Sequence, residues 1–233
     1  MPLAHHTLGP LQTDPTSGLA FRLRHPLPAR PTRCLVLLHG VGGNETNLLE
    51  LADGVDAETL VVFPQGRLPL GPQQFAWFRV AFTANGPSIV AQEAEDSRLA
   101  LIHFVEQLQA SYAIAPNRTV VAGFSQGGIM SASVALTAPQ HVAGFGLLSG
   151  RILPELEPVL ARKDQLTQLK GFIGHGEHDS KLPVSWAHKA DLLLKDLGVQ
   201  HTLHLYPMDH GISATMHTDF VAWLHTLEEG NPT

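Results

Sequence analysis

Ser125 stands at the centre of Gly123-Phe124-Ser125-Gln126-Gly127, a Gly-x-Ser-x-Gly spacing. A serine hydroxyl is a weak nucleophile at neutral pH and needs an adjacent base. Histidine suits that task, and an acidic residue must hold the imidazole in the right tautomer and stabilise its cation. An apolar run, Thr119-Val120-Val121-Ala122, precedes the serine, and a helix-compatible run over 129–136 follows it. That context predicts a sharp strand-to-helix turn that lifts the hydroxyl above a sheet. Such a turn strains the serine backbone. It also brings strand and helix so close that only glycine fits at 123 and 127. The helix start would aim free N–H groups and its positive dipole end at a developing oxyanion.

Partners for this serine are sought in the order serine, acid, histidine. Asp179 closes His175-Gly176-Glu177-His178-Asp179, and His210 lies in Asp209-His210-Gly211; each follows a strand-like run. Glu177 and Asp209 are the rival acids. Asp209 is adjacent to His210, and neighbouring side chains on extended backbone point apart. An oxyanion hole needs the backbone N–H of Gln126 and a second donor from an earlier loop. His39-Gly40-Val41-Gly42-Gly43 supplies one, with Val41 as the donor; His39 precedes the serine and reads as ordering that loop by hydrogen bonds. His175 and His178 lack any further ligand pattern, so neither a metal nor another cofactor is expected.

The elements that must carry these residues alternate. Residues 19–25 alternate apolar and basic, as in an edge strand with one wet face. Residues 34–38 and 59–63 are continuous apolar runs, as in buried parallel strands. Asn44 could cap a short helix over 45–52. Residues 67–87 read as an irregular, aromatic-rich loop serving as wall or lid. A helix is expected over 88–112, strands over 141–148, 172–174 and 201–206, and helices over 183–197 and 214–227. Strand–helix alternation implies a mostly parallel sheet with helices on both faces, and ligands bind at the carboxyl ends of such strands. The loops at His39, Ser125, Asp179 and His210 all leave carboxyl ends.

The whole chain of 233 residues, 44% apolar, fits one α/β domain, with residues 1–18 an irregular leading segment. A formal net charge of -6 argues against nucleic-acid or anionic-membrane surfaces. No apolar stretch approaches membrane-spanning length. The single cysteine, Cys34, reads as a buried small hydrophobe. A cytoplasmic enzyme is the simplest reading, with a homodimer compatible with it.

Six stretches, Leu38-His39-Gly40-Val41-Gly42-Gly43, Trp77-Phe78, Gly123 to Gly128, Leu148-Ser149-Gly150, His175 to Asp179 and Asp209-His210-Gly211, together resemble the phospholipase/carboxylesterase family of α/β-hydrolases. That family includes small bacterial serine esterases and acyl-protein thioesterases, and the resemblance spans residues 33–227 in consistent order. It implies an α/β-hydrolase fold and hydrolysis of carboxylic esters. Ser125, Asp179 and His210 would be its triad, and the Val41 and Gln126 amides its oxyanion hole. Gly43 departs from the pattern, since many members carry Asp there. A lysophospholipase, a thioesterase, or an inactive binding module on the same fold are the alternatives. Leu68, Leu70, Phe75, Trp77, Phe78, Phe82, Ile152 and Leu153 are the candidate substrate walls. With no large inserted domain, a shallow cleft for short-to-medium acyl esters is expected.

Overall fold

The structure is a computed structural model that describes residues 6–83 and 86–229. In chain order the elements are β1 (Thr7–Leu8), β2 (Gln12–Thr13), β3 (Ala20–His25), β4 (Arg33–Leu38), β5 (Thr59–Pro64), β6 (Leu68–Gly71), β7 (Gln74–Ala76), β8 (Val80–Thr83), β9 (Gly86–Ile89), α1 (Ala91–Tyr112), β10 (Thr119–Phe124), α2 (Gln126–Thr137), β11 (Gly144–Leu148), α3 (Lys163–Leu166), β12 (Lys170–Gly176), α4 (Ser185–Leu197), β13 (Gln200–Tyr206) and α5 (Ala214–Glu229).

The main sheet runs β1-β3-β5-β4-β10-β11-β12-β13, with β2 also paired to β3. From β5 to β13 every neighbour is parallel; β1, β2 and β5 pair antiparallel with β3. The two-residue strands β1 and β2 lie in the segment expected to be irregular. They are too short for a period of two to register, and pairing with β3 is what makes them strands.

Alternation along the central strands explains the layers. Val36 and Leu38 on β4 join Leu101, Phe104, Met130, Val134 and Leu194 from α1, α2 and α4 in one core. Leu35 and Leu37 face the other way and join Met216, Phe220 and Trp223 of α5. Both faces of β4 are therefore dry, which is why its sequence is apolar throughout. Chain order turns at β4, which has β5 on one side and β10 on the other. Such a reversal opens a crevice at the strands' carboxyl ends, here between the loops after β4 and β10.

Several expectations need correction. The basic face of β3 is not wet: Arg24 is buried and gives its guanidinium N–H groups to the carbonyls of Ala52, Val55, Asp56 and Thr59. Arg22 pairs with Glu45 at 2.9 Å. Asn44 does not cap the short helix expected over 45–52. Its side chain accepts from Thr46, and only a short 3-10 turn, Glu50–Ala52, follows. The stretch 67–87 is not irregular, because among its described residues it folds as the antiparallel hairpins β6–β7 and β8–β9. Residues 88 and 89 thus belong to β9, ahead of α1. Strand β12 is longer than its apolar run suggests and includes His175.

Candidate active site

At the β10–α2 junction Ser125 has φ 53 and ψ -117, a region that L-residues rarely occupy. Its N–H is held by the Leu148 carbonyl at 2.8 Å, and its carbonyl accepts from Ile129 N–H at 3.0 Å. The glycines have the steric reason expected of them. A Cβ on Gly127 would lie 1.9 Å from the Leu38 carbonyl oxygen, and one on Gly123 2.5 Å from the Gly127 carbonyl carbon. Strained backbone of this kind costs on the order of 1–3 kcal/mol and persists only where its surroundings enforce it.

Ser125 Oγ lies 2.9 Å from Nε2 of His210, and Nδ1 of His210 lies 2.7 Å from Oδ2 of Asp179. An imidazole donating from Nδ1 to a carboxylate leaves Nε2 as an acceptor for the serine proton. The other Asp179 oxygen accepts from the backbone N–H groups of Lys181, at 2.9 Å, and Leu182, at 2.7 Å. The rival Asp209 faces elsewhere. It accepts from the N–H groups of Ser180 and His210 and so ties the two loops together. Those bonds hold its pKa below the usual carboxylate range, that from the Ser180 amide contributing most. Glu177 is exposed. Ser149 Oγ donates to the Gly211 carbonyl at 2.9 Å, anchoring the loop that carries His210. The Phe124 ring packs 4.9 Å from the His210 ring.

The loop after β4 sits across from this chain of residues. His39 Nε2 accepts the Gly66 N–H at 2.9 Å, so its proton is on Nδ1, which donates to the Gly40 carbonyl at 2.7 Å. Burial lowers the His39 pKa, so the ring stays neutral. Gly42 N–H donates to the Phe75 carbonyl, and Phe75 N–H to the Gly43 carbonyl, both at 2.8 Å. Phase and space around Gly43 are therefore set by β7, and a Cβ there would meet Asn47 Oδ1 at 2.5 Å. Val41 and Gln126 both line the cavity beside Ser125. Gln126 is the first residue of α2, where backbone N–H groups have no intrahelical partner.

That cavity is about 330 Å³ and is walled by Phe78, Val80, Ile89, Phe124, Ile129, Arg151, Lys181 and Leu182, among others. Of the wall residues expected from sequence, Phe78 is there. Leu70 is exposed on the first hairpin, and Phe75 serves through its backbone. Ile152 and Leu153 are buried in the core, and Leu68 is half-buried at the start of β6. The side chain of Phe82 lies outside the described residues. Trp77 is fully buried and its indole N–H donates to the His39 carbonyl at 2.9 Å, so it supports the loop from beneath. Hydrophobic sequence alone does not separate a wall from a prop, because both are aromatic and buried.

One contributor was invisible in the sequence. The Gln126 side chain accepts from Trp77 N–H and donates to the Phe78 carbonyl, each at 2.7 Å, and so clamps the 77–78 backbone to the start of α2. Nothing local in the sequence signals a contact between residues 49 positions apart. His175 is fully buried and bonds the Leu182 carbonyl at 2.8 Å, while His178 is exposed. Among the described residues no three His, Cys, Asp or Glu side chains cluster to hold a metal ion.

A parallel sheet covered by helices on both faces, with a strained serine at a strand–helix turn, is the α/β-hydrolase fold. The sequence pattern of the Phospholipase/Carboxylesterase family matches residues 28–228. This chain belongs to that family and is a hydrolase. Acyl-protein thioesterase 1 of Kluyveromyces lactis is 30% identical over 176 residues, covering 70% of this chain and 76% of that protein. Lysophospholipase-like protein 1 of Mus musculus is 25% identical, covering 86% and 89% respectively. Among solved structures, a carboxylesterase from Mesorhizobium loti superposes with a TM-score of 0.77 at 24% identity, over 93% of this chain and 98% of that one. A Bacillus cereus carboxylesterase gives 0.76 at 22% identity, over 90% and 94%. No helix among the described residues is long and apolar enough to cross a membrane.

Proposed function

We propose that the protein hydrolyses carboxylic esters of short-to-medium acyl chains through an acyl-enzyme on Ser125. The observation that carries this reading is the unbroken chain from Ser125 Oγ through His210 to Asp179, at 2.9 and 2.7 Å, beside an apolar cavity. In the proposed reaction Ser125 Oγ attacks the ester carbonyl carbon while its proton passes to His210 Nε2. The carbonyl electron pair moves onto oxygen, and the amides of Val41 and Gln126 stabilise it; one such donor is worth about 10²–10³ in kcat. Collapse breaks the bond to the alcohol, which leaves with the proton from His210. Water then attacks the acyl-enzyme, gives its proton to His210, and Ser125 departs with that proton as the acid is released. Asp179 stays ionised and holds the imidazole in place.

A cavity of about 330 Å³ is at the small end of the usual ligand-site range, which favours short acyl chains. Each methylene that fits should add about 0.8 kcal/mol, roughly fourfold in kcat/KM, until the wall is reached. The thioesterase reading is the second one, favoured by the Kluyveromyces lactis relative's name. We propose a cytoplasmic location, with which the buried free thiol of Cys34 is compatible. A panel of p-nitrophenyl esters and matched acyl thioesters, run with a fluorophosphonate probe, tests the reading. Labelling of Ser125 and a rate maximum at short-to-medium length are expected. Labelling elsewhere, undiminished turnover by Ser125→Ala, or a rate still rising at palmitoyl length would each refute it.

A further inference from the structure

The wall of the cavity beside Ser125 carries a largely buried cation, Arg151, that forms an ion pair with no acid among the described residues. Arg151 is 6% exposed, and among the described residues its guanidinium makes no hydrogen bond and no ion pair. Arg24 donates to four backbone carbonyls, and Arg98 is bonded by Glu95 and Thr137. Among the described residues, the guanidinium of Arg151 lies over the Trp186 ring, 4.7 Å from its centre. A cation–π contact supplies no oxygen acceptor, so it leaves the guanidinium N–H donors free to meet an anion. Burial disfavours the charge, and Glu155 opposes that only through its field. A buried charge without a partner is costly, and an arriving anion removes that cost.

The placement is specific. Arg151 follows Gly150, whose backbone is packed so tightly on the nucleophile's turn that a Cβ there would meet the Ser125 carbonyl oxygen at 3.1 Å. Lys181 lies on the same cavity, and among the described residues no Asp or Glu lines it, although the chain as a whole carries a net charge of -6. The remaining wall is apolar, with Phe78, Val80, Ile89 and Leu182 available to a carbon spacer.

We propose that Arg151 receives a carboxylate on the substrate, so that the preferred esters are carboxylate-bearing ones, of the hemiester class, and not purely aliphatic ones. This rests on the Ser125 reading above for where the scissile carbonyl sits. A charge-assisted, bidentate contact of this kind should be worth about ten- to a hundredfold in kcat/KM.

Two matched pairs test it: p-nitrophenyl butyrate against p-nitrophenyl hemiglutarate, with the carboxylate on the acyl side, and phenyl acetate against 4-carboxyphenyl acetate, with it on the alcohol side. The anionic member of one pair should be preferred by the wild type, and the pair that responds tells which side faces Arg151. Arg151→Met should lower that anionic-to-neutral ratio about ten- to a hundredfold, Arg151→Lys should restore part of it, and high salt should erode it. A residue that only packs against Trp186 would leave the ratio unmoved, and that result overturns the proposal while leaving ester hydrolysis intact. Calorimetric titration of glutarate into Ser125→Ala, with and without Arg151→Met, reads the anion site independently of turnover. Binding that needs Arg151 supports the proposal even if the catalytic reading fails; equal binding, or none, by both proteins refutes it.

Discussion

Replacing Trp77 by Phe separates a wall residue from a prop. The indole N–H is bonded to the His39 carbonyl at 2.9 Å, and both residues are buried. Phe removes the donor and leaves that carbonyl without it in a dry site, a cost of about 1–3 kcal/mol. The smaller ring adds a cavity cost on the order of 1 kcal/mol. Urea unfolding should therefore show a loss of about 2–4 kcal/mol, read from the midpoint at unchanged slope. Kinetically, the His39 carbonyl leads directly into Gly40 and Val41, so a looser loop should misplace one proposed oxyanion donor. A fraction of that donor's worth, about tenfold, should go from kcat with little change in KM. The optimum along the acyl series should stay where it is, because Trp77 does not line the cavity. A shifted optimum with kcat and stability intact would refute this placement and return Trp77 to the substrate wall.

Asp179→Asn should keep the fold but lower kcat by up to about 10⁴-fold, by analogy with the serine-protease triad, whereas Asp209→Asn should cost far less. The reverse ranking in two folded variants would exchange their roles. Gly127→Ala puts a Cβ 1.9 Å from a backbone oxygen, so soluble folded protein should be lost; a melting curve like the wild type's would contradict the close packing of β4 and α2. Burial lowers the pKa of both His39 and His175 from the ordinary value of 6.5. Below that value the unfolded chain takes up protons that the folded protein refuses. Their contribution is thus complete above about pH 6.5 and is lost as pH falls toward the lowered folded values. Unfolding free energy measured from about pH 7.5 to about pH 5.5 should decline, and a flat profile would count against neutral buried rings.

What the sequence determined by itself was the local chemistry and its order. Gly-x-Ser-x-Gly between a β-branched run and a helical run carries its own steric logic, and the structure places Ser125 at positive φ between glycines that have no room for a side chain. Continuous apolar strands and amphipathic helices follow from side-chain periods of 2 and 3.6, which are also local. That Asp179 and His210 would lie beside Ser125 was legible because strand ends in a parallel sheet converge on one edge. Tertiary structure decided everything that depends on which distant segments meet. The stretch 67–87 looked irregular because its Pro and Gly residues mask short hairpins, and β7 is stabilised by pairing with Gly42 and Gly43. The same pairing explains how the Gly42-Gly43 loop holds its shape. Apolar composition could nominate Leu70, Trp77, Ile152 and Leu153 for the cleft, but burial is equally satisfied in the core. Only the packing of β8, β9 and the loop after β12 puts Val80, Ile89 and Leu182 there instead. Arg151 stood in plain view after Leu148-Ser149-Gly150. That it is buried with no ion pair among the described residues is a fact about its neighbours, and no single stretch of chain contains those.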